Sequence, residues 1–372
     1  MKILFVAARW DPRNPDSGSG VNYNVYTTLK NHNEDIRIVG PFQDQLTLFE
    51  RGVRKLAGMV QKKRFIKFYP SYLKHSNEEV QRVMDDYQPD VIVSKSSIPL
   101  VNVRLNAPLV YICDSTVKWV ADNWPLFSEI GLRVMERWER KVLEKAAHIL
   151  TFSQANANVL VDYYKKPAEK ITVHPIPSSL PHEEGDFQLK SINENEPLRL
   201  LLVGKEYHRK GVDIAIETLQ QLIAAGIPAE LRIVGQTGTN SDHITFMGLY
   251  EKRVPEQLQQ YMNNYRWAHF LLFPSRFDAA GIVPSEAAGF GVPTITNAAG
   301  GIATTVEDGV SGVVLEKHSP APEYVRILNH YWKHPHEYKT LCESTYARYL
   351  SDLNWEVLGD KLFTIIQEHT DI

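Results

Sequence analysis

Cysteine is almost missing from this chain: 372 residues hold two, Cys113 and Cys342, with neither a CxxC spacing nor a nearby ligand cluster. That excludes a disulfide framework and a thiolate metal or redox site, and a reducing compartment follows. Long apolar runs are missing too. The opening MKILFVAARW carries an apolar run only from Ile3 to Ala8 before charge and proline, too short for a signal peptide or a membrane span. We expect a buried parallel strand there, in a soluble cytoplasmic protein. Charge of one sign is not in excess: 41 Lys and Arg against 44 Asp and Glu leave a net −3, so nothing global asks for nucleic acid or anionic lipid. HExxH, GxSxG and GxxxxGK[ST] are all absent, so zinc peptidase, hydrolase-elbow and P-loop chemistry have no support, and no metal site is expected.

What the chain does have is alternation. Strand-like runs at Ile3 to Ala7, Ile36 to Val39, Val91 to Val93, Leu109 to Cys113, Ile149 to Phe152 and Ile171 to His174 lie between helical patterns. This is the signature of a parallel sheet covered on both faces. The pattern stops in SSLPHEEGDFQLKSINENEP, Ser178 to Pro197, and then starts again at Leu198. The expected organisation is a first domain over 1–180, a linker over 181–197, a second domain over 198–350, and a terminal helix over 351–372 packing back on the first domain. Two such halves, each doubly wound and Rossmann-like, would face each other across a cleft, with ligands outside the carboxyl ends of the strands.

Three stretches carry chemistry. In FPSRFDAAGIVPSEAAGFGVPTIT a strand (Phe270 to Pro274) passes through a loop ending at Gly281 to a small-residue helix from about Pro284, then to a strand from Val292 to Thr296. Two carboxylates, Asp278 and Glu286, lie in it eight positions apart. A strand that hands over to a helix through glycine aims free amides at one spot and favours an anion, although on spacing alone an ordinary strand, turn and helix with surface acids is the favoured reading. The turn GKEYHRKGVD places Lys205, Arg209 and Lys210 just beyond a strand end, where cations can neutralise a diphosphate; the plainer reading is a solvated basic turn. Gly18 and Gly20 precede a helix near Val21, but Tyr23 stands where a dinucleotide fingerprint needs its third glycine, so a dehydrogenase is set aside. Separately, Arg51 to Lys74 holds eight cations and no acid, with Val53, Leu56 and Val60 at helical spacing. It could meet an anionic membrane or acceptor; a solvated helix packing one face on the domain is the modestly favoured reading.

Taken together, the Gly18 to Gly20 loop, WERKVLEKAAHILTFSQ, KITVHPIP, VGKEYHRKGVD, LRIVG, ITFMG and DAAGIVPSEAAGFGVPTITNAAGG resemble the family 4 retaining glycosyltransferases of the GT-B fold over nearly the whole chain. The resemblance implies transfer of a hexose-type sugar from a nucleotide-diphosphate sugar to a hydroxyl acceptor, with retention and with neither metal nor separate cofactor. It implies that Glu286 accepts from the donor ribose and that Asp278 holds the transferred sugar. The amides of Gly281, Ile282 and Val283 would meet the diphosphate, Lys210 with Lys205 or Arg209 would stabilise its departing charge, and Gly20 would approach it from the first half. The loops after Val234 and Phe246 would hold the base. Three positions depart from the family: Asp278 stands for the usual first Glu, Asp114 in LVYICDSTVKW for a common histidine near the reacting centre, and Thr304 for the Glu of GGxxE. Asp114 could accept from a sugar hydroxyl or stabilise a cationic transition state, or simply cap the next helix. Two other readings stay open: a nucleotide-sugar epimerase of the same fold, and a non-catalytic homologue that only binds nucleotide sugar. Peripheral contact at the inner membrane face, through residues 51–74, is the remaining open partner.

Overall fold

Runs of Val, Ile, Leu and Phe that alternate with amphipathic stretches become strands buried on both faces. The computed structural model describes residues 1–15, 20–43, 46–61, 69–124, 127–183 and 185–370, with 56–61 as backbone alone. Gly18, and Lys62, Lys63, Arg64 and Lys67 of the basic stretch, lie outside the described residues. The chain divides into two compact units, Met1–His174 with Leu358–Ile372, and Pro175–Val357.

In chain order unit 1 contains β1 (Ile3–Val6), α1 (Val21–His32), β2 (Ile36–Val39), α2 (Leu48–Gln61), α3 (Pro70–Tyr87), β3 (Val91–Ser94), β4 (Leu109–Cys113), α4 (Val117–Asn123), α5 (Glu129–Lys145), β5 (Ala146–Thr151), α6 (Gln154–Asp162) and β6 (Ile171–Val173). Its six-stranded sheet runs β2-β1-β3-β4-β5-β6, all parallel. The order reverses between β1 and β3, which places the ligand crevice of such a sheet beyond the carboxyl ends of these two strands. The core gathers Leu4, Val6, Ile92, Leu109, Tyr111 and Ile149 from the sheet with Val80, Met84, Val142 and Leu160 from α3, α5 and α6.

Unit 2 contains β7 (Leu198–Val203), α7 (Val212–Ala224), β8 (Ala229–Val234), β9 (Ile244–Gly248), α8 (Pro255–Trp267), β10 (Phe270–Phe273), α9 (Ile282–Ala288), β11 (Thr294–Asn297), α10 (Ile302–Thr305), β12 (Gly312–Leu315), α11 (Ala321–Lys333) and α12 (Pro335–Asp352). Its sheet runs β12-β11-β10-β7-β8-β9, again parallel. Read from the far edge, this is the 3-2-1-4-5-6 order of dinucleotide-binding folds, with its switch point between β7 and β10.

Two details differ from the sequence reading. Beyond the strand expected from Val292 to Thr296, the short edge strand β12 adds to the sheet. The stretch expected as a linker, 181–197, packs within unit 2. Ile192 sits in the core of unit 2, Phe187 stacks on Tyr346 with centroids 4.4 Å apart, and Arg266 holds Asp186 through two bonds of 3.1 and 2.6 Å. The few apolar and paired residues in this polar stretch find partners far along the sequence. The last helix, α13 (Trp355–Glu368), contributes to unit 1: a Cβ on its Gly359 would lie 2.1 Å from the Thr28 methyl, and Asp360 accepts from His32 at 2.9 Å. No helix among the described residues is long and apolar enough to cross a membrane.

Candidate functional site

At the switch point of unit 2 the turn after β7 and the turn after β10 are tied together. Gly211, the residue before α7, has φ 67°, and a Cβ there would lie 2.1 Å from the Pro274 carbonyl oxygen, so only glycine lets the two turns abut. Ser275 Oγ donates to the Arg209 carbonyl at 3.0 Å. The Arg276 guanidinium grips Asp213 at 2.8 and 2.6 Å and the His208 carbonyl at 2.6 Å. The fork geometry of arginine fixes the first residues of α7 against the β10 turn.

This seam brings together three of the expected residues. Asp278 Oδ2 pairs with Lys210 Nζ and, at 3.4 Å, with Arg209 Nη1, while its Oδ1 accepts from the Gly281 amide at 3.3 Å. Burial alone would raise the Asp278 carboxyl, but Lys210, Arg209 and the amide hold it below the usual carboxylate range. Lys210 is itself buried, with its ammonium 4.5 Å from the Phe273 ring centroid. Arg209 is tied further to Glu206 at 2.8 Å and to the Phe277 carbonyl at 2.9 Å. Of the two alternatives for a second cation, then, Arg209 joins the cluster, whereas Lys205 is exposed and its side chain makes no ion pair among the described residues. Gly300 supports the cluster from the other side: with φ 69°, a Cβ there would sit 2.1 Å from the Asp278 carbonyl oxygen. The Gly301 amide donates to that same carbonyl at 2.9 Å. Thr304 lies one turn on, half-buried in α10.

Gly281 takes a left-handed conformation as the residue before α9, and the helix starts at Ile282 and Val283, two residues earlier than Pro284 suggested. One turn in, Glu286 is almost fully buried. Its Oε2 accepts from the Tyr261 and Tyr265 hydroxyls at 2.6 and 2.7 Å, and its Oε1 from Lys252 Nζ at 2.6 Å. Burial, and then the Glu286 charge, push both tyrosines well above their ordinary range, so they remain hydrogen-bond donors. The loop after β8 lies beside the basic turn, with Gln236 donating to the Gly204 carbonyl at 2.8 Å.

In unit 1, Gly20 precedes α1 at φ 80°, a conformation that by itself accounts for glycine. Asp114 follows β4 and does not cap the next helix; Thr116 does, accepting from the Trp119 amide at 3.3 Å. Instead Asp114 Oδ2 pairs with Lys95 Nζ from the end of β3, and its Oδ1 is buried without a hydrogen-bond partner. The loop that carries it is held by buried groups: Glu139 of α5 accepts from the Val117 amide at 2.9 Å and from the Tyr164 hydroxyl, and Asn156 Oδ1 accepts from the Thr116 amide at 2.9 Å.

Sequence reasoning missed Lys95, Lys252, Tyr261, Tyr265 and Glu139. Lys95 is the first residue beyond β3, where the strand-end rule would have found it. The two tyrosines are four apart on α8 and so share a face. Glu139, one of several charges in α5, carries no such signal.

The family description "Glycosyltransferase Family 4" matches residues 20–177, and "Glycosyl transferases group 1" matches residues 197–332. Two glycosyltransferase family models thus match the two halves of the chain in turn. Among its relatives, the D-inositol 3-phosphate glycosyltransferase 1 of Catenulispora acidiphila is 27% identical over 212 residues, 51% of this chain and 50% of that one. The chain thus spans about half the length of the curated relatives it matches. Among solved structures, the sucrose-phosphate synthase of Thermosynechococcus elongatus aligns with a TM-score of 0.70 at 15% identity, over 99% of this chain and 98% of that one. Anabaena HepE, solved in complex with UDP-glucose, aligns with a TM-score of 0.66 at 16% identity, over 99% and 100% of the two chains. At such identities these likenesses speak to the fold, which is GT-B.

Proposed function

We propose that this chain transfers a hexose-type sugar from a nucleotide-diphosphate sugar to a hydroxyl acceptor, with retention at the anomeric carbon and without a catalytic metal. The observation that carries the reading is the seam at the β7–β10 switch point, where Lys210, Arg209 and Asp278 meet beside the Gly281 turn that opens α9. A neighbour of the same fold solved with UDP-glucose supports the donor class.

In this reading Lys210 and Arg209 stabilise the negative charge that grows on the departing diphosphate. The bond between the anomeric carbon and the phosphate oxygen breaks and its electron pair leaves with the phosphate. The acceptor oxygen forms the new bond on the same face, and its proton passes to the departing phosphate oxygen. Lys205 adds an exposed charge at the rim, and the Gly281, Ile282 and Val283 amides face the diphosphate. Glu286 keeps one acceptor position on Oε1 for a ribose hydroxyl, with Tyr261 and Tyr265 fixing its carboxylate. Asp278 orients the sugar, and in unit 1 Asp114 offers its unpartnered Oδ1 to an acceptor hydroxyl. The chain meets an anionic membrane face through α2, where Leu48 and Phe49 are 85% and 80% exposed beside exposed Arg51, Arg54 and Lys55.

Lys210→Ala and Glu286→Ala test this directly. Each is expected to lower transfer by about 100-fold or more while the far-ultraviolet spectrum stays unchanged. Nucleotide diphosphate at one hundred times its Kd is expected to raise wild-type stability by about 2.7 kcal/mol, and less in the variants. Full transfer by both purified variants would remove the reading, and donor turnover without an acceptor would point to an epimerase.

A further inference from the structure

At the corner between α11 and α12 three exposed side chains outside the transfer seam converge. His330 lies in the last turn of α11, His334 forms the joint, and Glu337 lies in the first turn of α12. One ligating atom from each falls within 4.8 Å of the others. His330 Nε2 is 2.8 Å from Glu337 Oε2, and the two imidazoles stack with centroids 4.4 Å apart.

The corner is stiff. Both helices hydrogen-bond through the joint, the His334 amide to the His330 carbonyl at 3.0 Å and the Glu337 amide to the His334 carbonyl at 3.0 Å. Pro335 follows at once, and the Tyr338 hydroxyl anchors α12 to the His269 carbonyl at 3.1 Å. His334 Nδ1 also donates to the His330 carbonyl at 2.7 Å. That bond fixes the proton on Nδ1 and leaves the Nε2 lone pair open, the arrangement by which a backbone carbonyl orients an imidazole ligand. Ligands on a tetrahedral ion with bonds near 2.0 Å stand about 3.3 Å apart, so small side-chain rotations inward from the observed spread suffice. Two imidazoles and one carboxylate suit a borderline ion of the zinc, cobalt, nickel and copper group better than calcium or magnesium.

We propose that His330, His334 and Glu337 bind one such divalent ion, zinc being the type, which clips α11 to α12 with water completing the coordination. The sequence shows the pattern as HYWKHPHE, in which two histidines four apart are read across a helix break and continued by a glutamate.

The test is zinc titration of the chelator-stripped full chain by calorimetry, with cobalt absorption as a second readout of tetrahedral nitrogen and oxygen ligation. One zinc per chain is expected, together with a raised Tm. His330→Ala and His334→Ala should each weaken binding roughly tenfold or more, Glu337→Gln should weaken it less, and His336→Ala should leave it unchanged. Absence of saturable binding in the wild type, or equal affinity in the double His330→Ala, His334→Ala variant, would overturn the proposal. The metal-free Tm of each variant serves as its own baseline, and the rise on adding zinc is read against it.

Discussion

Asp278 shows how far one side chain can be read before its partners are known. As a residue type it is a shortened glutamate, and the family resemblance implies a sugar hydroxyl as its partner. In the folded chain its oxygens hold Lys210, Arg209 and an amide, so the cations that would meet a diphosphate are already neutralised when no ligand is present. A pair this buried is costly to break from one side, on the order of 3–5 kcal/mol, and an arriving diphosphate must offer both cations at least as much. Asp114 is similar. The sequence offers Asp114 as a cap for the next helix, and the bond from the Trp119 amide gives that place to Thr116. Its partner Lys95 gives a prediction for the proposed transferase. Lys95→Met should reduce kcat/KM by about tenfold, in the range of charge-assisted contacts, with Lys95→Arg restoring part of it. Steady-state kinetics that remained at wild-type level in Lys95→Met would remove Lys95 from the site.

At the level of elements, α5 does more than cover the sheet. Its Glu139 ties down the start of α4, and burial pushes this carboxyl up to about 7, even though the Tyr164 hydroxyl and the Val117 amide pull it back. The folded chain therefore holds a proton that the unfolded chain gives up at ordinary carboxylate pH. The stability tied to that proton is fully present below about pH 4.5, falls as pH rises, and is gone above about pH 7. Glu139→Gln keeps an acceptor for both donors and removes the titration. Its stability relative to wild type should rise between pH 5 and 7 by on the order of 2–3 kcal/mol, measured by denaturant unfolding across that range. Parallel slopes in the two proteins would contradict it. The helices themselves were legible from their periodicity, but which charge on α5 turns inward was not, since Glu136, Glu139 and Glu144 look alike in a sequence. The same holds for α9, whose Glu286 stood out by its place after a Gly turn, while the tyrosines that orient it sit one element away on α8.

For the whole molecule, the alternation of runs announced two parallel sheets, but not their strand order, which depends on pairings between segments far apart in the chain. β12 escaped notice because it is a four-residue, half-exposed edge strand between glycines and acids, made a strand only by pairing with β11. Net charge is also a whole-molecule property: at −3 it gives no general attraction to anionic surfaces, so any membrane contact has to be local and salt-sensitive. Vesicles rich in anionic lipid should therefore sediment the wild-type chain at low salt and lose it at about 0.5 M, beyond the screening of surface charges. A Leu48→Ser, Phe49→Ser variant should stay in the supernatant at low salt. Equal sedimentation of the two proteins would dissociate α2 from the membrane.

The last helix returns to the unit that the first strand begins, with Leu358, Leu362 and Ile366 buried and Thr370 reaching Met1. A ribosome releases the chain from its first residue onward, so the whole of unit 2 emerges before the segment that finishes unit 1. Unit 2 can fold on the ribosome as a contiguous piece. Unit 1 has to wait, six strands in hand, for the final turns of helix to arrive.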